Sequence, residues 1–459
     1  MAPDDGRGSG EHMADFIRVS DDRQGFVEGA SGRRFVPFGA NYFDPKTGWA
    51  PKIWARFDAE RVGRHFGQMA GAGLNCIRVF LDQMILNPAP DDFSEEGFRK
   101  ADDLIALARR AGLRIIFSGP NTWHGSPEHR RGDPYADPQE IEFNRRLWEK
   151  IAARWGGEPV ILAWDLYNEP MVGWPTRAKG WRGDQRLGLW QAFARERNVP
   201  AGDDLPPADT AGQDRTAWAA YLAFQEGLAG QWVERQCKAL RAAGAKQMIT
   251  VGLIQWTIPV HLPRGLGLSG FTPRRIARHL DYISAHFYPM PRQGSLEADL
   301  PVQQAYLEVV LRAMRQADKP LVLEEFGWKG GRQVPRDSRT WPEEHQTFWC
   351  DALMAVSGRA GAAGWLNWGY ADTDDPKADV SAASGLWTAE ERLKHWGRRF
   401  SQYAARYQAA PPSYTLPARR IAVNTVDFLF DHGGHPQLDW LEGQVKDSPG
   451  ANLEVVFGV

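Results

Sequence analysis

The chain has 459 residues, room for one large barrel or two to three ordinary domains, and its 43% hydrophobic and 24% charged residues are the balance of a globular protein. A formal net charge of -2, with no basic run, argues against nucleic acid or an anionic membrane as the main partner. Three widely spaced cysteines, Cys76, Cys237 and Cys350, lack CxxC spacing, so they read as small buried apolar residues rather than as disulfides or zinc ligands.

The opening MAPDDGRGSGEHMADF is polar and lacks the apolar core of a signal peptide, and no window is long and apolar enough to span a bilayer. Residues 1–24 are expected to be a flexible leader, with Met13 a candidate original start, and the protein to be cytoplasmic, or secreted if a signal has been trimmed.

From residue 34 onward, β-type runs alternate with helical patterns. RFVPFGAN (34–41) precedes a helix over 57–72, NCIRVFL (75–81) one over 94–111, and LRIIFSG (113–119) one over 137–155. VILAWDLYN (160–168) precedes 216–243, QMITVGL (247–253) a short helix over 272–280, and YISAHFY (282–288) one over 299–317. PLVLEEFG (320–327) and AAGWLNWG (362–369) precede 341–359 and 389–408. In AGAGLNCIRVF, RAGLRIIF and RAAGAKQMITV a helix-ending glycine announces the next strand.

Eight strands alternating with eight helices predict an α/β fold, a closed parallel (β/α)8 TIM barrel over 25–410. A doubly wound open sheet is the alternative, but GANYFDP stands where its Gly-rich phosphate turn would be.

Two segments depart from a minimal barrel. The connection 171–215 is far longer than a usual βα loop, carries Trp174, Trp181 and Trp190, and is expected to lie over the cleft. Residues 411–459 form a C-terminal extension with apolar runs IAVNTVDFLF and LEVVFGV. They are expected to be strands or an arm packed on the barrel, or part of a homo-oligomer contact.

Residues at the C-terminal ends of barrel strands converge on one mouth. The strands offer Asn41, Arg78, then Asn121, Trp123 and His124, then Asn168 and Glu169, then Gln255 and Trp256. His286 and Tyr288, Glu324 and Glu325, and Trp368 complete the ring. Acids on strands four and seven suit glycoside cleavage, in which one carboxylic acid protonates the leaving oxygen and another carboxylate faces the anomeric carbon. Twenty tryptophans serve either to stack on sugar rings or to fill a large core.

NCIRVF, AWDLYNEP, SAHFYP, KPLVLEEFG and GWLNW, in this order and each on its expected strand, resemble glycoside hydrolase family 5, a clan of barrel glycosidases with acids on strands four and seven. The resemblance covers about 25–408. It implies that Glu169 is the general acid/base and Glu325 the nucleophile, with Glu324 the rival. Because side chains alternate along a strand, only one of that pair is expected to face the mouth.

The same resemblance implies that Asn168 reads the sugar 2-hydroxyl, Arg78 and Tyr288 hold the nucleophile, and His286 orients the acid/base or Tyr288. Trp368 would floor the sugar site. It further implies retaining double displacement through a covalent glycosyl-enzyme, with no metal or organic cofactor.

Plainer readings stand beside these. Arg78 also suits an ion pair with Asp165, and both roles can hold at once. His124, Trp123 and Trp256 are candidate substrate contacts, although His124 equally suits a loop cap. Trp148, Trp218, Trp232 and Trp349 lie on predicted helices and read as packing. ADTDDPKAD (371–379) lacks EF-hand spacing and reads as a solvated loop, and His432 and His435 read as part of a turn.

The EEFG form of the motif resembles the mannan-acting branches of the family more than its common cellulase form, and the long insertion suits short oligosaccharides over a polymer, which together imply a β-mannosidase or mannan-oligosaccharide hydrolase. A β-glucosidase or endo-β-glucanase is the alternative. A non-catalytic carbohydrate-binding barrel is the remote one, since such a protein would be expected to lose a glutamate, Asn168 or Tyr288, and all are present.

Overall fold

Short apolar runs that follow helix-ending glycines build the sheet. In the computed structural model Gly73, Gly112 and Gly244 all take positive φ, at 80°, 73° and 92°, one or a few residues ahead of a strand. The structure describes residues 15–121, 127, 129–130, 132–172, 184–207, 210, 213–262, 267–290, 296–334, 337–375, 380–432, 437–447 and 452–458.

Eight parallel strands close into a barrel: β1 (Phe38–Asn41), β2 (Cys76–Asp82), β3 (Arg114–Asn121), β4 (Ile161–Asn168), β5 (Met248–Ile254), β6 (Ile283–Phe287), β7 (Leu321–Phe326) and β8 (Ala362–Asn367). The seam is β8 against β1, where Trp365 pairs with Phe38, Leu366 with Gly39 and Asn367 with Ala40. Helices including Ala59–Gly71, Glu95–Ala111, Pro138–Trp155, Arg215–Ala242, Leu296–Arg315, Glu343–Arg359 and His395–Ala409 cover the outside. This is the (β/α)8 TIM barrel that the alternation predicts. Sheet faces covered on both sides explain why every position of β2, β5 and β7 is buried. Trp148, Trp218, Trp232 and Trp349 are all buried in this packing, as are the three cysteines.

The lower end of the barrel is plugged. Cys76, Ile116, Leu162, Met248, Tyr282, Val322 and Leu366 meet Ile17 and Phe26 in one apolar cluster, and Phe26 stands edge-on to Tyr282 at 5.5 Å. Ile17 and Phe26 belong to an antiparallel sheet of Ile17–Val19, Phe26–Glu28 and Arg34–Phe35. The expected leader is therefore too long: residues 17–19 already form a strand, because Ile17 faces the barrel floor. Arg34 and Phe35, read as the start of the first barrel strand, belong to this sheet too. Pro37, which has no N–H for a ladder, separates the two.

The long connection after β4 contains a helix, Asp184–Glu196. Its Trp190 is buried against Tyr221 and Phe224 of Arg215–Ala242, so this part packs on the barrel's outer layer; Trp174 and Trp181 lie outside the described residues. The C-terminal extension pairs Arg419–Asn424 with Leu453–Gly458 in parallel and packs on Leu296–Arg315. Arg215 binds Asp427 and Asp431 across to it.

Only the first half of IAVNTVDFLF is a strand, because the Asn424 side chain accepts from the Asp427 N–H at 3.0 Å and starts the helix Thr425–Asp431. His432 ends that helix with its ring 5.1 Å from Phe428, while His435 lies outside the described residues.

Barrel closure leaves no room at Gly39, where a Cβ would stand 1.6 Å from the Cys76 carbonyl oxygen. Gly39→Ala is expected to cost more than about 4 kcal/mol, read as a large fall in Tm or loss of soluble protein. Wild-type melting would contradict the tight β1–β2 approach.

Candidate active site

Arg78 lies on β2 with no solvent exposure and spends its guanidinium on five side chains. Its Nε and Nη2 donate to Asp165 at 3.1 and 2.6 Å, Nη2 also to Asn168 at 2.7 Å and Ser118 at 3.1 Å, and Nη1 to Asn41 at 2.8 Å and to Glu325. Arg78 thus contacts Asp165 and Glu325 at once. Burial opposes its charge, but Asp165, Glu325 and Glu324 outweigh that and hold it firmly protonated. Anchoring by Arg78 also fixes the orientation of the Asn168 amide.

The two carboxylates expected at the mouth do come together. One oxygen of Glu169 and one of Glu325 lie within 4.8 Å of each other and of His286 Nδ1. His286 Nδ1 is 3.1 Å from Glu169 Oε1 and 3.5 Å from Glu325 Oε1. Burial, with Arg78 nearby, pushes the His286 pKa well below its ordinary value. The ring is thus neutral, and with carboxylate oxygens before Nδ1 its proton belongs there.

Tyr288 donates to Glu325 Oε2 at 2.8 Å. Gln255 clamps the Tyr288 backbone, accepting from its N–H at 2.6 Å and donating to its carbonyl at 2.9 Å.

Backbone irregularity aims these groups. On β7, Leu323 pairs with Ala285 but Glu325 with His286, two steps against one, a β-bulge. Alternation therefore fails there: Glu324 and Glu325 both face Arg78, with Glu324 Oε2 3.4 Å from Nε. The expectation that only one of the pair points inward is corrected by this extra residue. On β4, Asp165 pairs with Thr250 and Asn168 with Gly252, another slip. Glu169 follows with φ 54°, a left-handed conformation rare for a residue with a side chain, held by its N–H donating to Gly252 O at 2.8 Å. Gly252 is obligatory here, since a Cβ would stand 2.7 Å from His286 Cε1 and 3.0 Å from Arg78 Nη2.

Trp368, buried, sits edge-on to Trp49 at 5.1 Å, Phe80 at 6.0 Å and Tyr288 at 6.4 Å, an aromatic wall beside the carboxylates. Trp256 does not join them: it packs against Trp218, Leu222, Leu262, Leu268 and Leu429, next to the C-terminal extension. Trp123 and His124 lie outside the described residues.

Sequence reasoning gave no role to Ser118, and it named Asn41 and Gln255 only as strand ends. These polar residues on strand ends and interiors show themselves only once Arg78 and Tyr288 need partners. The stretch read as a solvated acidic loop is partly buried: Asp372 binds Lys394 at 3.0 Å, and Asp375 pairs with Lys52. Residues 376–379 lie outside the described residues.

The pair is electrostatically split. Burial and then Glu325 push the Glu169 pKa well above the ordinary range. Burial also raises Glu325, but Arg78 and Tyr288 oppose it. Glu169 is thus the better proton carrier and Glu325 the better anion. Glu169, His286 and Glu325 are also the described donors most nearly arranged as a metal triad. Glu325 Oε1, however, already meets the fixed positive charge of Arg78, which disfavours a second cation there.

Residues 38–372 match the cellulase (glycosyl hydrolase family 5) family, and the chain belongs to that family. Among curated relatives, mannan endo-1,4-beta-mannosidase 7 of Oryza sativa subsp. japonica is 31% identical over 176 residues, 32% of this chain and 45% of that protein. The chain spans less than half the length of the curated relatives it matches.

Among solved structures, the exo-beta-1,4-mannosidase of Opitutaceae bacterium strain TAV5 superposes with TM-score 0.69 at 18% identity, covering 95% of this chain and 72% of the other. A GH5_18 variant of Bifidobacterium longum subsp. longum, in complex with Manb1-4GlcNAc, gives TM-score 0.65 at 16% identity, with 92% and 91% covered. At these identities the structures share the barrel fold.

A carboxyl whose pKa is raised on folding stabilises the fold only while protonated, so Glu169 weakens the protein as pH rises above the unfolded value of about 4.3. Glu169→Gln, an isostere of the neutral acid, is expected to raise Tm at about pH 7 and to leave it unchanged at about pH 4. Equal effects at both pH values, in differential scanning calorimetry, would contradict the raised pKa.

Proposed function

We propose that the protein is a retaining β-glycosidase acting on short β-linked oligosaccharides, most favourably β-mannosides. One observation carries this reading: the Glu169 and Glu325 oxygens approach within 4.8 Å, a spacing near the roughly 5 Å of retaining enzymes and too close for the intervening water of inverting ones.

In this reading Glu325, kept anionic by Arg78 and Tyr288, attacks the anomeric carbon while Glu169 gives its proton to the leaving oxygen. The covalent glycosyl-enzyme is then hydrolysed by water that Glu169 deprotonates. Loss of the Glu325 charge in the first step lowers the Glu169 pKa, which readies it as a base for the second only when the ester forms and the burden of two close anions is relieved. His286, donating from Nδ1, holds the Glu169 carboxyl toward the cleft. Asn168, oriented by Arg78, meets the sugar 2-hydroxyl, and Trp368 with its aromatic neighbours takes the apolar face of the ring.

Support for mannosides comes from the relatives: a mannan endo-mannosidase by sequence, and by fold an exo-mannosidase and a protein holding a mannosyl-GlcNAc disaccharide. The cellulase description of the family keeps a β-glucosidase or endo-β-glucanase as the second reading.

A panel of aryl β-mannoside, glucoside, galactoside and xyloside is expected to give the highest kcat/KM on the mannoside. Glu169→Ala and Glu325→Ala should each lower it by on the order of 10³-fold or more. Azide should rescue Glu325→Ala and yield a glycosyl azide of inverted configuration. Full activity in Glu325→Ala would refute the mechanism, and preference for the glucoside would favour the second reading.

A further inference from the structure

Among the described residues, the floor of the site holds three buried carboxylates, Asp165, Glu324 and Glu325, and a single guanidinium, Arg78, that reaches all of them. The other groups bonded to Arg78 or to these acids, Asn41, Ser118, Asn168, Tyr282 and Tyr288, are uncharged, and His286 is neutral. With all three acids ionised, this layer would hold two uncompensated negative charges beside a fourth acid, Glu169. Burying unpaired charge is so costly that a carboxyl takes up a proton instead.

Hydrogen bonding singles out which one. Asp165 has donors on both oxygens, Gly252 N at 2.7 Å on Oδ1 and Arg78 on Oδ2. Glu325 likewise accepts from Arg78 on Oε1 and from Tyr288 on Oε2. Glu324 accepts from Tyr282 at 2.5 Å on Oε1 and has the Ser284 hydroxyl beside it, but no donor meets its Oε2 in hydrogen-bond geometry among the described residues. The Arg78 Nε, 3.4 Å from that oxygen, donates to Asp165.

We propose that Glu324 is a positioning residue that works as a neutral carboxylic acid, leaving Arg78 to Asp165 and Glu325. An ionised Glu324 would compete for the guanidinium and loosen its grip on Glu325. The groups facing Glu324 are Arg78 and Cys76 from β2, Asp165 from β4, Ser284 from β6 with Tyr282 just before it, and Glu325 beside it on β7. Burial, the largest influence, with Asp165 nearby, pushes its pKa up to about 7 against Arg78 and the Tyr282 and Ser284 hydroxyls, in keeping with a carboxyl that holds its proton.

The proton can be read directly. The infrared spectrum of Glu169→Gln minus that of Glu169→Gln/Glu324→Gln, in which the other raised carboxyls, Asp82, Glu226, Glu325 and Asp372, cancel, is expected to show a protonated buried carboxyl band at about pH 6. The absence of a protonated-carboxyl band from that difference overturns the proposal.

Activity gives the second arm, which rests on the glycosidase reading above. Glu324→Gln, the isostere of the neutral acid, should keep kcat within about threefold of wild type, whereas Glu324→Leu loses about 100-fold through a displaced Arg78. A Gln variant as impaired as the Leu variant overturns the proposal. If wild type hydrolyses no glycoside, the glycosidase reading fails while the infrared result still decides the protonation of Glu324.

Discussion

A guanidinium with no access to water must find its hydrogen bonds inside the protein, and Arg78 finds them on strands from around the barrel. Asn41 on β1, Ser118 on β3, Asp165 and Asn168 on β4, and Glu325 on β7 are all set by that need. Leaving one such partner unmade costs several kcal/mol, so the arginine ties the register of these strands to one another. The residues that hold Arg78 are also those that shape the chemistry, because the same positive charge restrains the pKa of Glu325 but reaches Glu169 only through space.

Regular strands would not place these groups. Alternation sends consecutive side chains to opposite faces. The slips on β4 and β7 break that rule at the two places where adjacent polar residues must share one layer. Glu169 goes further and adopts a left-handed backbone at the strand tip. Such conformations cost of order 1–3 kcal/mol and persist where surrounding structure over-determines them, here by the Gly252 carbonyl and the His286 contact. The apolar plug below, with Ile17 and Phe26 sealing Tyr282, gives the polar layer a rigid base.

Much of this was legible from residue order. Strand periodicity and glycine stops marked the eight barrel strands, and strand-end logic brought Arg78, Asn168, Glu169, His286, Tyr288 and Glu325 into one place. What escaped has physical reasons. The bulge on β7 comes from pairing with β6, which no local pattern records, so Glu324 was expected to face away. Trp256 was a reasonable cleft residue by position, but it packs in an apolar cluster to which the C-terminal extension supplies Leu429. The sheet around Ile17 and Phe26 consists of strands of two or three residues, too short to show a period. The helix at Thr425 depends on one Asn424 side chain rather than on hydrophobic spacing.

The seam between β8 and β1 divides the barrel's chemistry in an uneven way. Strands β1 to β4 bring Arg78, Asp165, Asn168 and, at their end, Glu169, whereas β5 to β8 bring His286, Glu324 and Glu325, with Tyr288 just past β6. The second half thus contributes acids whose close cation among the described residues, Arg78, belongs to the first. Separated, it would bury negative charge without relief, and the first would hold an arginine short of an acceptor. Neither half is a miniature of the whole. The site comes into being only when the two halves meet, so loss of structure on either side is expected to abolish both at once, in one cooperative step.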